Sequence, residues 1–225
     1  MTFTILGRCE HTGRLGGAVT TSDVAVGARV LFARAGLGVA ATQHRTDPRL
    51  GPALLERLAG GHTPAQAVTA VAASTAGREW RQLGVVDAQG RTAAYSGGYV
   101  WALAAELAGD GCLVLGNMLA GPAVAPAMRD AFAHRADDDL SDRLLAALTA
   151  GQSAGGETGG GALRSAALVV VERETFSYVD LRVDDDLEPL AKLSALWETY
   201  RPLAAQFVAR ALTPDDVHRS SSTTT

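Results

Sequence analysis

The chain has 225 residues, of which 47% are apolar and 20% charged, a balance that supplies a core of its own and excludes the charge-rich, apolar-poor composition of a disordered chain. Lys and Arg number 20 against 24 Asp and Glu, for a formal net charge of −4. That charge gives no long-range attraction to phosphate polymers or anionic bilayers, and so argues against nucleic-acid and membrane partners.

Thr2 to Leu6 alternates polar and apolar residues, and Leu15 to Thr21 resumes after the turn-forming stretch His11 to Arg14, so the two segments predict a β-hairpin. Leu37 to Gln43, small and apolar behind Gly36, predicts a third strand, so three strands precede any helix. Pro52 to Leu58 reads as a short helix. Thr63-Pro64 reads as an N-cap with proline at the first helical position, opening a second helix through Ala73. Arg81 to Asp87 and Arg91 to Ser96 alternate at period two around Asp87-Ala88-Gln89-Gly90 and predict another hairpin, and Cys112 to Asn117 is a further strand. A proline-marked helix covers Pro122 to His134, and Ser141 or a neighbouring aspartate caps one running to about Gln152. Gly155 to Gly161 is too rich in glycine for an element interior and reads as a mobile loop beside a site or as a linker. Ser165 to Glu172 and Tyr178 to Val183 form the last hairpin, and Leu187 to Leu212 is a closing helix in two parts around Pro202. One domain over 1–212 is expected, followed by a disordered polar tail over 213–225.

Strands grouped as hairpins and helices grouped as pairs predict an α+β fold, with antiparallel sheets and helices layered outside them, rather than a parallel doubly wound sheet. The tract Gly13 to Gly17 lacks dinucleotide-binding spacing and no phosphate loop is present, so no cofactor is expected. Cys9 and Cys112 lack zinc-ligand spacing, and Asp184-Asp185-Asp186 before the last helix reads as a solvated cluster favouring its dipole, so no metal is expected. No histidine pair has zinc-protease spacing; His44 is the one histidine placed near a site, although its position reads as solvent-facing. No secretory signal or run of ~18 apolar residues is present, so the expected address is the cytoplasm.

The chemistry-bearing candidate is Thr2. Removal of Met1 before a small second residue leaves a hydroxyl nucleophile with a free α-amine, whose pKa of about 7.7–8.0 lets it take the hydroxyl proton at neutral pH. The bland alternative is an ordinary first-strand threonine. A serine or cysteine hydrolase with an internal triad has no supporting motif.

The opening MTFTIL, the stretch GARVLFARAGLGVAATQ followed by TDPRLGPALLERL, and then GREWRQLGVVDAQGRTAAYSG, LGNMLAGP, LLAALTAGQSAGG, RSAALVVV and YVDLRVDDD occur in this order. From Met1 to about Tyr200 the chain thereby resembles the Ntn-hydrolase-like family known as domain of unknown function 1028. The resemblance implies a four-layer αββα sandwich of the Ntn-hydrolase type, with the first mature residue at a sheet end. It also implies an amidohydrolase that acts on a small amide, ureido or peptide-like bond through an acyl-enzyme on Thr2; the alternative is a catalytically silent fold used for binding or assembly. Oxyanion donors would be backbone amides near Gly97 and Gly98, or the side chain of Asn117, ranked first. Arg34 lowers the amine pKa, binds a substrate carboxylate or forms a surface ion pair. Ser22 and Asp23 either flank the nucleophile or cap a turn, and Gln43 and Thr46 either orient the substrate amide or anchor a loop. Asp47 and Arg164 depart from the asparagine and glutamine usual in relatives. The expected partner is a small-molecule amide substrate, and the architecture is compatible with a homodimer.

Overall fold

The structure is a computed structural model that describes residues 1–158 and 161–215. In chain order the strands of the first half are β1 (Thr2–Arg8), β2 (Leu15–Thr21), β3 (Leu31–Arg34), β4 (Gly38–Gln43), β5 (Gln82–Asp87) and β6 (Thr92–Ser96). Those of the second half are β7 (Ala105–Gly109), β8 (Cys112–Asn117), β9 (Ser165–Val171) and β10 (Val179–Val183). The helices are α1 (Leu50–Ala59), α2 (Pro64–Ser74), α3 (Val124–Ala133), α4 (Leu140–Ser153), α5 (Pro189–Tyr200) and α6 (Ala204–Leu212).

The strands form two wholly antiparallel sheets, one in the order β10-β9-β2-β1-β8-β7 and one in the order β3-β4-β5-β6. Three buried clusters follow from the alternation of side chains along the strands. Phe3, Ile5, Val114 and Leu168 point from the larger sheet to Met128 and Phe132 of α3, Leu144 and Leu148 of α4, and Leu193 and Trp197 of α5. The intervening residues Leu6, Val19, Leu113 and Leu115 point the other way, to Val39, Ala41 and Val86 of the smaller sheet. The remaining face of the smaller sheet, Ala40, Leu83 and Val85, packs on Leu54 and Leu58 of α1 and Val68 and Val71 of α2. The α2 start is a full capping box, with Thr63 accepting from the Gln66 amide and the Gln66 side chain accepting from the Thr63 amide.

Two strands escape the periodicity. β3 is only four residues long, so its alternation is too short to register, and four strands rather than three precede the first helix. β7 reads Ala-Glu-Leu-Ala-Gly, residues of poor strand propensity, and holds its place by pairing with β8. From residue 216 the expected tail falls outside the described residues. Among the described residues no helix is long and apolar enough to cross a membrane.

The pairing gathers polar strand ends at one edge. Thr2 lies opposite Asn117, and Gln43, Gln82 and Ser96 are successive partners across the smaller sheet. Four non-glycine residues among those described have left-handed backbones: Ala25, His44, Arg45 and Met118. All four lie in segments that leave strands at this edge, and each conformation costs roughly 1 kcal/mol or more, which the surrounding contacts must offset.

Candidate functional site at the polar edge of the sheets

A pocket of about 270 Å³ opens at this edge, with Thr2, Thr21, His44, Arg45, Thr46 and Trp101 among its lining residues. A larger hollow of about 600 Å³ lies against α4 and α5, but its Asp142 is already engaged by Trp197 Nε1 at 2.9 Å and by Arg201. It offers ion pairs rather than an assembled nucleophile.

Thr2 is buried, with 8% of its surface exposed. Its hydroxyl donates to the Met1 carbonyl at 2.5 Å and lies 3.3 Å from the Thr21 hydroxyl, which also donates to the Met1 carbonyl. Two hydroxyls thus converge on one carbonyl oxygen at the pocket floor. Behind them runs a buried amide network. The Thr4 hydroxyl donates to Gln43 Oε1 (2.6 Å), Gln43 Nε2 donates to Gln82 Oε1 (2.7 Å), and Asn117 Nδ2 donates to the same oxygen (3.1 Å). Gln82 Nε2 faces the carbonyls of Gly116 (2.9 Å) and Ala105 (3.2 Å), which accept only, so its orientation is determined, and with it that of Asn117. The atom of Asn117 left buried without a partner among the described residues is therefore Oδ1, an acceptor.

His44, expected to face solvent, is instead buried. Its Nδ1 lies 2.9 Å from the Trp80 carbonyl and so carries the proton, while its Nε2 accepts from the Trp101 amide at 3.4 Å. Burial holds its pKa below the usual imidazole range, opposed by the Trp80 carbonyl and assisted by the α-amine and by Arg45 and Arg81. It is a neutral strut between two loops.

Glu157 sits in the glycine-rich segment and is tied to the chain leaving β8 by a bridge to Leu119 and by the Thr158 amide donating to the Met118 carbonyl at 2.8 Å. Both of its carboxylate oxygens are buried with no hydrogen-bond partner of normal geometry among the described residues. Burial pushes its carboxyl up to about 7, and the positive charge of the Met1 α-amine and the neighbouring Ser22 pull against that rise.

Of the residues expected from the sequence, Thr2, Asp23 and Thr46 line the pocket, Ser22 adjoins Glu157, and Gln43 and Asn117 belong to the network behind Thr2. Asp23 lies 3.7 Å from Arg29 in an ion pair and caps the Val24 amide. Arg34 does not join them: it lies opposite Gly38 at the far end of β4 and forms an exposed ion pair with Glu56 at 3.3 Å. Gly97 and Gly98 offer no free donors, because their amides donate to the Arg81 carbonyl (3.0 Å) and to Glu79 Oε2 (2.8 Å). Gly97 is required by packing, since a β-carbon there would sit 2.4 Å from the Glu79 backbone. The two departures have local explanations. Asp47 takes a two-pronged contact from Arg49 (2.9 and 2.8 Å) that holds its carboxyl below the usual range, and Arg164 pairs with Asp185. Asp186 pairs with Lys192 at 2.6 Å, so two of the three consecutive aspartates are engaged by cations.

Sequence reasoning missed Thr21, Gln82, Arg45, Trp101 and Glu157. The first was within reach: in the predicted hairpin, Phe3 opposite Thr20 sets Thr2 beside Thr21. Glu157 carried no signal, because a glutamate among glycines looks like a solvated loop.

These features define an α+β protein of two antiparallel sheets and helices, with a polar pocket at one edge where the sheets meet. The model of the family of unknown function DUF1028 matches residues 2–193, and the chain belongs to that family. It is similar to the crystal structure of protein SPO2555 from Silicibacter pomeroyi, with 32% identity, TM-score 0.82 and 88% of each chain covered. Far weaker likenesses reach Anbu (ancestral beta-subunit) from Yersinia bercovieri, with 10% identity, TM-score 0.42 and 92% and 96% of the two chains covered. The Anbu (Gly-1) mutant from Hyphomicrobium sp. strain MC1 follows with 16% identity, TM-score 0.43 and 92% and 97% covered. No curated protein matches the chain.

Proposed function

We propose that the chain is an amidohydrolase of the N-terminal-nucleophile type, built as a four-layer αββα sandwich and completed when Met1 is removed. The observation that carries this reading is the convergence of the Thr2 and Thr21 hydroxyls on the Met1 carbonyl at the floor of the pocket. Loss of Met1 frees both hydroxyls and turns the Thr2 nitrogen into an α-amine. That amine takes the proton of Thr2 Oγ1 as the oxygen attacks the carbonyl carbon of a small amide. The Thr21 hydroxyl, which donates to a carbonyl oxygen while Met1 is present, donates to the oxyanion of the tetrahedral intermediate. The ammonium then protonates the leaving nitrogen, the C–N bond breaks, and water hydrolyses the ester left on Thr2. Asn117 has a different role from the oxyanion donor expected of it: its unpartnered Oδ1, opposite Thr2, accepts from the amine and orients it.

Thr2→Ala preserves Met1 removal and deletes only the hydroxyl. It is expected to abolish turnover in a screen of small amides, while Thr2→Ser retains part of it. Equal activity in wild type and Thr2→Ala would overturn the assignment. The close seating of the Met1 carbonyl favours a second reading, a binding protein that keeps Met1, in which neither substitution changes turnover because there is none.

A further inference from the structure

We infer that Arg45, held between the indoles of Trp80 and Trp101 at the pocket mouth, is a carboxylate-reading subsite, so that the ligand is an amide bearing a free carboxylate. This rests on the proposed function for the amide and on Arg45 itself for the carboxylate. The Arg45 guanidinium lies 5.1 Å from the Trp101 ring centroid and 5.8 Å from that of Trp80. Trp80 stacks on His44 and packs against Tyr99 at 5.0 Å, while Trp101 meets His44 edge-on at 5.2 Å. An arginine between aromatic faces keeps its N–H edge open for a two-pronged contact. Among the described residues no carboxylate pairs with Arg45, whereas Arg29, Arg34, Arg49 and Arg78 each have an acidic partner.

Two further observations support the assignment. His44 and Arg45 are successive non-glycine residues in the left-handed region, with φ of 51° and 43°, and the Arg45 carbonyl is held by the Arg81 side chain. That contact fixes the backbone from which the exposed Arg45 side chain leaves the loop. The pocket's acidic lining residue, Asp23, is paired with Arg29, so of the two arginines that line the pocket Arg45 is the one without a carboxylate partner among the described residues. The rings beside it, with Tyr99, Trp101 and Trp80 at 56%, 45% and 38% exposure, offer an apolar platform for a planar or hydrophobic substituent next to the carboxylate.

Trp80 and Trp101 are exposed while Trp197 is buried at 1%, so intrinsic fluorescence reports on the rim. The test titrates the Thr2→Ala protein, in which turnover does not intervene, with N-acetylphenylalanine and with its neutral carboxamide. The acid is expected to quench saturably and to bind about tenfold or more tighter than the carboxamide, the preference that one charge-assisted contact supplies. Arg45→Gln is expected to bring the two ligands to about equal affinity, and Arg34→Gln, at the far end of the smaller sheet, to leave the preference intact. Equal affinities without any substitution, a preference that survives Arg45→Gln, or no saturable response to the acid would each overturn the subsite. Acid-selective binding in a chain that keeps Met1 would leave the subsite standing and remove the nucleophile; turnover without acid selectivity would do the reverse.

Discussion

A carboxylate buried away from water is costly to ionise, and Glu157 carries that cost beside the N-terminus. Its pKa of about 7, against an ordinary 4.5, means that the folded chain keeps a proton which the unfolded chain releases between those values. Stability therefore falls as pH rises from about 4.5 to about 7, by at most about 3 kcal/mol for this group. Glu157→Gln has no proton to release. Its unfolding free energy relative to wild type is expected to increase between pH 5 and pH 8, measured by denaturant unfolding at each pH. A constant difference across that range would mean that the carboxyl titrates normally. The positive charge of the Met1 α-amine favours the ionised form of Glu157, and on the proposed function removal of Met1 would pass that influence to the amine of Thr2.

Among the elements, the two sheets are joined at their polar edge by Gln82, which accepts from Gln43 and Asn117 and faces Ser96 and the Gly116 carbonyl with its nitrogen. Gln82→Met keeps most of the volume and leaves these buried groups unpaired. A loss of about 3 kcal/mol is expected by urea unfolding, and a loss under about 0.5 kcal/mol would show that the network is replaced by water. The hairpins β1–β2 and β5–β6 were legible from alternation bounded by turn residues, and β9–β10 from two short runs rich in valine, the first of them apolar throughout after Ser165. The α2 start was legible from Thr63-Pro64, and the break between α5 and α6 from Pro202. β3 and β7 were not, since four residues or a run of Ala, Glu and Gly carry no period and form only against a partner strand. Thr2 was legible from the chemistry of a threonine directly behind Met1, whereas Arg45 and Glu157 depend on contacts between distant segments and were not. Arg45 meets Trp101 only after the strands of the smaller sheet are in place, and Glu157 approaches the terminus only once β1, β2 and β8 of the larger sheet are paired.

Across the whole molecule, β1 lies at the centre of the larger sheet between β2 and β8, so the second residue is delivered to a buried edge rather than to a frayed end. Strands of both sheets, the chain leaving β8 and the loops bearing His44 and Trp101 all meet there, and the left-handed residues mark the same place. On the proposed function, that edge is an active site only when Thr2 is the first residue of the mature chain. Intact mass and N-terminal sequencing of untagged protein, produced with normal methionine processing, test this directly. A chain that begins at Thr2 is expected, and a chain that keeps Met1 throughout would overturn the proposed nucleophile.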